Sequence, residues 1–298
     1  MPRETAHRGC LLVLISSLGY GTLGLWGKFG YRLGFTPLSL QSVRFAIAAL
    51  FLWLLVLATE KRLAVPRGWW QLWLQGGLGM APTALCFFYA LHYLPVGLAS
   101  ILFYLHPLFT NLAAIWVFGE AFTSRKAAAL TLAIGGAALL ANAATGQAVH
   151  PAGIAFALGG ALAYSLFSLA GQSTSGLASP LVRTAHITLA CAVSINLLAG
   201  TSWSALTSLT PAMWGIAAGL GLVATVMGML FYLWGITYIG ATRAAIVAAA
   251  EPLSGVLLAA LVLGERLTGL QTMGALLVVG AILCLQRPAK RGDKQWNF

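Results

Sequence analysis

Residues 87–123 read FFYALHYLPVGLASILFYLHPLFTNLAAIWVFGEAFT, and residues 232–268 repeat the pattern 145 positions later as YLWGITYIGATRAAIVAAAEPLSGVLLAALVLGERLT, without a gap. The shared positions are Pro107 and Pro252, Gly119-Glu120 and Gly264-Glu265, and Thr123 and Thr268. An offset of 144 likewise aligns Gly9 with Gly153 and Tyr20 with Tyr164. Internal repeats settle the architecture before single elements are assigned. The chain is therefore two copies of one unit, which we place at residues 1–147 and 148–298.

The composition indicates a membrane protein. Of 298 residues, 59% are hydrophobic and 8% are charged, against roughly 25% charged in an ordinary soluble domain. The net charge is +11, but the basic residues are scattered at the ends of apolar runs and form no basic face of the kind that binds nucleic acid. The four cysteines lack the close spacing of metal sites. We therefore expect a lipid bilayer as a partner, no nucleic acid, no metal and no cofactor.

Ten apolar runs are candidates for transmembrane helices, which need about 20 residues each. They cover residues 10–30, 38–59, 69–91, 95–118, 125–143, 152–172, 181–200, 211–236, 241–263 and 269–286. Five fall in each copy. Because five is odd, the second copy begins on the opposite side of the membrane from the first, which makes the repeats inverted.

The distribution of Lys and Arg predicts the orientation, since cytoplasmic loops are richer in both. With a cytoplasmic N-terminus, twelve basic residues lie inside: Arg3, Arg8, Lys61, Arg62, Arg67, Arg125, Lys126, Arg243, Arg287, Lys290, Arg291 and Lys294. Three lie outside: Lys28, Arg32 and Arg266. Both termini are therefore expected in the cytoplasm.

The repeated motifs resemble those of the EamA-type branch of the drug/metabolite transporter superfamily. Each copy ends in a proline, eleven further residues, Gly-Glu, and a threonine three positions after the glutamate. The text LFYLHP at 102–107 is most similar to the bacterial aromatic amino-acid exporters of that family. The resemblance implies an all-α integral membrane fold of ten transmembrane helices, as two inverted five-helix repeats around a central cavity. It also implies a bacterial inner-membrane carrier that exports amino acids, aromatic or other neutral ones, or related small amphiphilic metabolites.

Glu251 and His106 are candidate substrate-binding residues because they occupy equivalent positions near mid-membrane, each directly before a proline. An ionisable group at that depth usually faces a cavity or a partner. Glu251 would bind a substrate amine or a proton, and His106 would donate or accept a hydrogen bond. Alternatively, both satisfy backbone carbonyls that Pro107 and Pro252 leave free. The two prolines are predicted hinges.

Arg44 lies about 9 Å inside the outer end of the second run, at 1.5 Å per residue. It would either extend to the membrane interface or bind a substrate carboxylate with its planar guanidinium. Lys28 and Arg183 lie nearer to the ends of their runs, and we interpret both as interface anchors.

Aromatic and hydroxyl side chains within the apolar runs are the remaining candidates for a substrate-binding surface. They are Tyr20, Tyr89, Ser100, Tyr104, Tyr164 and Trp234. A cavity lined by phenol edges and apolar walls would accept amphiphilic metabolites, whereas single aromatic residues are more commonly buried in helix packing. Glu120 and Glu265 are interpreted as residues that cap or salt-bridge a helix turn.

The sequence favours a monomeric secondary transporter with a small-molecule substrate. It contains no GxxxxGK[ST] phosphate-binding loop, so the energy would come from gradients. Either proton antiport or facilitated diffusion is compatible with the residues present. A membrane-embedded enzyme is the rival interpretation, but six acidic residues in all, with only Glu251 deep within a run, do not supply the paired acids or the HExxH motif of a metal hydrolase. A drug or metabolite carrier with another cargo, or a channel, is also open.

Overall fold

The computed structural model describes residues 3–60, 65–94, 96–120, 123–141, 150–200, 209–254 and 269–286. Every regular element in these ranges is a helix. The repeat positions Gly264, Glu265 and Thr268, together with Arg266 and the basic C-terminal segment, lie outside the described residues.

The first repeat contains α1 (Arg3–Tyr20), α2 (Leu23–Arg32), α3 (Pro37–Glu60), α4 (Trp69–Leu74), the π-helical segment π1 (Gln75–Met80), α5 (Ala81–Tyr93), α6 (Val96–Phe103), α7 (His106–Phe118) and α8 (Ser124–Ala141). The second contains α9 (Pro151–Ser173), α10 (Pro180–Ala199), α11 (Pro211–Gly219), the π-helical segment π2 (Leu220–Met227), α12 (Gly228–Val247) and α13 (Gly269–Gln286). Residues 250–254 are also helical.

Helices α9, α10 and α11 begin with a proline that follows a capping residue. The side chains of His150, Ser179 and Thr210 accept hydrogen bonds from backbone amides of the first turn. Proline is suited to the first helical position because its missing N–H would have no partner within the helix. These helix starts therefore follow from local sequence.

Six stretches of helix are long and apolar enough to cross a membrane: Glu4–Arg32, Pro37–Glu60, Trp69–Tyr93, Pro151–Ser173, Pro180–Ala199 and Pro211–Val247. The predicted all-helical, multi-pass membrane fold is therefore confirmed for the described residues. The predicted boundary between the eighth and ninth runs is present as a kink within α12, where Gly240 has a non-helical conformation with φ 76° and ψ 163°. Glycine adopts this positive φ at little cost.

Close contacts between the repeats are reciprocal. A Cβ added to Gly9 would lie 2.5 Å from Ile239, and one added to Gly153 would lie 2.5 Å from Leu94. Leu94 and Ile239 are themselves equivalent at the 145-residue offset. Reciprocal contacts of this kind are produced by a two-fold relation, and the small residues permit close backbone approach.

The π-helical segments are related by the same two-fold repeat. π1 begins at Gln75 and π2 at Leu220, which are 145 positions apart. A Cβ on Gly76 would lie 2.3 Å from the carbonyl oxygen of Ile187, and one on Gly221 would lie 3.1 Å from the carbonyl oxygen of Arg44. Each π segment thus packs against a helix of the other repeat, π1 on α10 and π2 on α3.

The helices break just before both predicted hinges. A turn at Tyr104 and Leu105 separates α6 from α7, with Pro107 in the first turn of α7. A turn at residues 248–249 likewise precedes Pro252. Proline disrupts the hydrogen bonding of the preceding turn, so the breaks have a local cause. Whether they act as hinges stays a prediction.

Candidate functional site

A cavity lies where the two repeats meet. It is lined by Tyr20, Leu23, Arg44, Met80, Thr83, Ala84, Phe87, Phe88, Phe103, Tyr164 and Glu251. The walls are mainly aromatic and aliphatic, and the two charged residues have opposite signs. This combination of apolar walls with a few polar groups is typical of a small-molecule site.

Arg44 is held in place by four neighbours. Its Nε donates a hydrogen bond of 2.6 Å to Thr225 Oγ1, and its Nη1 donates one of 2.8 Å to Gln41 Oε1. The guanidinium carbon lies 4.8 Å from the ring centroid of Phe45 and 5.6 Å from that of Phe88. The side chain is only 1% exposed, so the interpretation that Arg44 extends to the membrane interface is wrong. The alternative, binding of a substrate carboxylate, remains.

Glu251 is the acidic group of the cavity and is 5% exposed. The Tyr104 phenol lies within hydrogen-bonding reach of its carboxyl. Tyr20 is near enough to interact electrostatically with both Glu251 and Arg44. Among the described residues, however, Glu251 and Arg44 have no oppositely charged side chain within 4.0 Å. The cavity therefore contains one acid and one base that do not neutralise each other.

His106 lies in the aromatic layer beside the cavity and is fully buried. Its ring centroid is 4.6 Å from that of Tyr164, 5.5 Å from Phe103 and 6.3 Å from Tyr104. Neither ring nitrogen has a hydrogen-bond partner among the described residues. Its backbone carbonyl accepts hydrogen bonds from Thr110 and Ser165 instead, so the histidine ring is not what satisfies the backbone at this break.

The equivalent tyrosines Tyr20 and Tyr164 both line the cavity. Tyr164 also packs against Tyr232, with ring centroids 5.4 Å apart, and Tyr232 shares a hydrogen bond of 2.9 Å with Ser168. Five predicted site residues are thus gathered in or beside the cavity together with Arg44: Tyr20, Tyr104, His106, Tyr164 and Glu251.

Three predicted site residues are not brought into the cavity. Tyr89 is stacked on Phe156 with ring centroids 5.2 Å apart. Trp234 is 37% exposed and stacks on Phe231, so the structure contradicts its assignment to a central cavity wall. Ser100 is half-buried and does not line the cavity. Helical spacing correctly placed Ser100 near Tyr104, but it did not reveal which side of the helix faces the other repeat.

Several site residues were missed by the sequence analysis. Phe87, Phe88 and Phe103 form apolar walls, and Thr225 and Gln41 hold Arg44. Gln41 could have been found, since it lies three positions before Arg44 on the same helix face. Thr225 lies 181 positions from Arg44, and no local pattern connects the two.

Arg183 is not an interface anchor, which corrects the sequence-based interpretation. It is 0% exposed, and its Nη2 donates to the Gly171 carbonyl at 2.6 Å and to Thr174 Oγ1 at 3.4 Å. These acceptors lie at the end of α9, where a cation interacts favourably with the last carbonyls of a helix. Lys28, in contrast, is exposed, as an anchor requires.

The helix ends remote from the cavity are joined by polar contacts. Glu120 forms an ion pair with Lys126 and accepts a hydrogen bond of 3.0 Å from Thr242. Gln172 accepts a hydrogen bond of 2.6 Å from the Ala241 amide, next to the break at Gly240. The prediction that Glu120 salt-bridges a helix turn is confirmed, and the predicted role of Glu265 lies outside the described residues.

Within the described ranges, no group of three or more His, Cys, Asp or Glu side chains is arranged to hold a metal ion. The site contains a buried cation, a buried carboxyl and aromatic surfaces, which are groups that can bind a small molecule. A multi-pass helical fold with such a cavity between two related halves defines a membrane transporter.

The family follows from both halves of the chain. Residues 7–142 and 151–286 each match the EamA-like transporter family, and the chain belongs to that family. This result confirms the resemblance seen in the repeated motifs, and it confirms the prediction of a transporter that acts on small molecules.

Individual relatives extend this result. The chain is 30% identical to the probable amino-acid metabolite efflux pump of Escherichia coli K12 over 294 residues, which cover 94% of this chain and 93% of the pump. It is 28% identical to an uncharacterized transporter of a Synechocystis species over 200 residues, 66% of this chain, and it spans 60% of that transporter. A protein of known crystal structure shares the fold, with a TM-score of 0.75 and 22% identity over 93% of this chain and 96% of that one.

Proposed function

We propose that this transporter exports neutral amino acids, aromatic ones among them, or closely related amphiphilic metabolites. The observation that carries the proposal is the presence of Arg44 and Glu251 on the walls of one cavity without a contact between them. An α-amino acid has the complementary pair of charges. Its carboxylate would bind the guanidinium of Arg44 and its ammonium group would bind Glu251.

The energetics favour such a substrate. A buried charge without a partner is costly, so a ligand that neutralises both charges at once is stabilised more than one that neutralises a single charge. The substrate side chain would lie against Phe87, Phe88 and Phe103, and these apolar walls accept aromatic and aliphatic groups.

The proposed architecture is ten transmembrane helices in two inverted repeats, in the bacterial inner membrane, with both termini cytoplasmic. The reciprocal contacts of Gly9 and Gly153 support the two-fold relation, and the excess of Lys and Arg on one side supports the orientation. In that orientation the contacts of Glu120 and Gln172 lie on the cytoplasmic side of the cavity, where they would keep that side closed while the other side is open. In alternating access, the cytoplasmic side would open when the outer side closes.

A substrate-exchange experiment in proteoliposomes tests the proposal with three related compounds. L-Phenylalanine has both charges, phenethylamine lacks the carboxylate and 3-phenylpropionate lacks the amine. We expect L-phenylalanine to bind at least roughly tenfold more tightly than either of the others, since hydrogen bonds to charged groups contribute about 1.5–3 kcal/mol each. Equal binding of phenethylamine and L-phenylalanine would refute recognition of a zwitterion.

Two variants test the recognition of the substrate carboxylate and of the substrate ammonium group separately. Arg44→Gln is expected to weaken L-phenylalanine and 3-phenylpropionate roughly 10- to 100-fold and to leave phenethylamine unchanged. Glu251→Gln is expected to weaken L-phenylalanine and phenethylamine and to spare 3-phenylpropionate. Lys28→Gln, at an exposed position away from the cavity, is the matched control and should change none of the three.

The energy source is either exchange with protons or diffusion along the substrate gradient. Glu251, a buried carboxyl without a cationic partner among the described residues, supports the proton version. Flux of L-phenylalanine with and without an imposed pH gradient distinguishes the two, and identical rates would leave facilitated diffusion.

A carrier of cationic amphiphiles is the second candidate function. Glu251 surrounded by tyrosine and phenylalanine rings is a site that a hydrophobic amine could occupy without using Arg44. Tight binding of phenethylamine that Arg44→Gln leaves unaltered, together with weak binding of L-phenylalanine, would favour this function over amino-acid export.

A further inference from the structure

The second repeat contributes a hydrogen-bond acceptor to Arg44, the buried cation of the first repeat. Thr225 lies within π2 and is fully buried. Its hydroxyl oxygen accepts the Nε hydrogen bond of Arg44 at 2.6 Å and donates its own proton to the Leu220 carbonyl at 3.2 Å. Leu220 lies five positions earlier, which is the spacing of a π-helix rather than an α-helix. The hydroxyl proton is thus committed to the backbone, and an oxygen lone pair remains for Arg44.

The packing of π2 on α3 makes this contact possible. Gly221 lies so close to the Arg44 backbone that an added Cβ would come within 3.1 Å of its carbonyl oxygen. A residue with a side chain at this position would push the two backbones apart by a few tenths of an ångström. Glycine at 221 therefore sets the distance over which Thr225 acts.

The guanidinium has one nitrogen left over. Thr225 takes Nε, Gln41 takes Nη1, and the rings of Phe45 and Phe88 limit rotation of the plane. Nη2 has no hydrogen-bond partner among the described residues. Nη2 is buried, but Arg44 lines the cavity, so in the proposed function this nitrogen is the donor that would bind a substrate carboxylate.

We infer that Thr225 is a positioning residue that determines the affinity of the transporter for the carboxylate of its substrate. This inference rests on the proposed function. Without the hydroxyl group, the guanidinium could rotate about its Cδ–Nε and Cγ–Cδ bonds, and the ordered donor would be replaced by several orientations. A planar guanidinium binds a carboxylate with high directional specificity, so loss of a single orientation weakens binding without removing the charge.

The experiment measures L-phenylalanine transport by the full-length protein in proteoliposomes, for the wild type and three variants. Thr225→Val removes the hydroxyl at nearly constant volume and is expected to raise KM for L-phenylalanine at least roughly tenfold, with the maximal rate within about twofold. Thr225→Ser restores the hydroxyl and is expected to restore KM. Thr188→Val is the matched control, because Thr188 is also fully buried but its hydroxyl contacts Met229 and not Arg44.

A second readout excludes a general structural effect. The inhibition constant of phenethylamine, which has no carboxylate, should be unchanged in Thr225→Val. A reduced maximal rate at unchanged KM, an equal effect of Thr188→Val, or an unchanged KM in Thr225→Val would each overturn the inference while leaving the proposed function intact. Failure of the wild type to transport L-phenylalanine would refute the proposed export of aromatic amino acids and this inference with it.

Discussion

Single residues carry the chemistry of this transporter at a cost to stability. Glu251 is 5% exposed and, within the described part of the chain, has a phenol but no cation for a neighbour. Glu120, near the opposite end of the bundle, is partnered by both Lys126 and Thr242. In the proposed function the first carboxyl binds the substrate, whereas the second makes contacts within the protein.

The two carboxyls are therefore expected to respond differently to neutralisation. Glu251→Gln should leave the Tm in detergent unchanged or raise it by a few degrees, because the amide has the same shape as a buried carboxyl that has no cationic partner among the described residues, and it can still hydrogen-bond the Tyr104 phenol. Glu120→Gln should lower the Tm, since it removes an ion pair of the native state. Thermal unfolding monitored without ligand measures both, and a marked drop in the Tm of Glu251→Gln would mean that this carboxyl has a cationic partner in the folded protein.

At the scale of elements, glycines determine how closely the π segments approach the neighbouring helices. An added Cβ at Gly76 would lie 2.3 Å from a backbone oxygen of α10, a distance that no side-chain movement can relieve. Gly215, one turn before π2, has nothing within 4 Å of its added Cβ. Both regions are apolar runs in the sequence, but glycine content alone does not distinguish a packed glycine from an open one.

This difference gives a matched pair of substitutions. Gly76→Ala should destabilise the protein by about 1–3 kcal/mol, the usual range for overpacking, because π1 has to move away from Ile187. Gly215→Ala should be neutral or slightly stabilising, since alanine is favoured over glycine in a helix. Unfolding midpoints in detergent compare the two, and equal midpoints would show that π1 tolerates a methyl group against α10.

The whole molecule combines a symmetric frame with asymmetric chemistry. Reciprocal glycine contacts relate the halves, yet equivalent positions hold different groups: His106 corresponds to Glu251, and the Arg44 carbonyl that meets Gly221 corresponds to the Ile187 carbonyl that meets Gly76. The duplication therefore supplies a frame of two related halves, while positions that differ between the halves place one acid and one base in a shared cavity.

The proposed inverted arrangement predicts that both chain ends lie on the cytoplasmic side. Reporter tags fused separately at the N- and C-terminus should both be protected from an extracellular protease in intact cells and both be cleaved after lysis. The cysteine introduced by Lys28→Cys should react with a membrane-impermeant thiol reagent added outside the cells. Tags found on opposite sides would require an odd number of membrane spans and would refute the inverted repeats.

The sequence by itself determined the membrane environment, the duplication and the positions of the apolar runs, because these depend on composition and on local periodicity. It also identified Glu251, His106, Tyr20 and Tyr164 as residues in or beside the cavity, since charged or repeated aromatic residues deep within apolar runs are uncommon. Tertiary structure alone decided that Arg44 is buried against Thr225, that Arg183 contacts the end of α9, and that Trp234 faces outward. The physical reason is that each of these outcomes depends on which helix face meets a helix far away in sequence. Periodicity within one apolar helix contains no such information when the lipid-facing and protein-facing sides are both apolar.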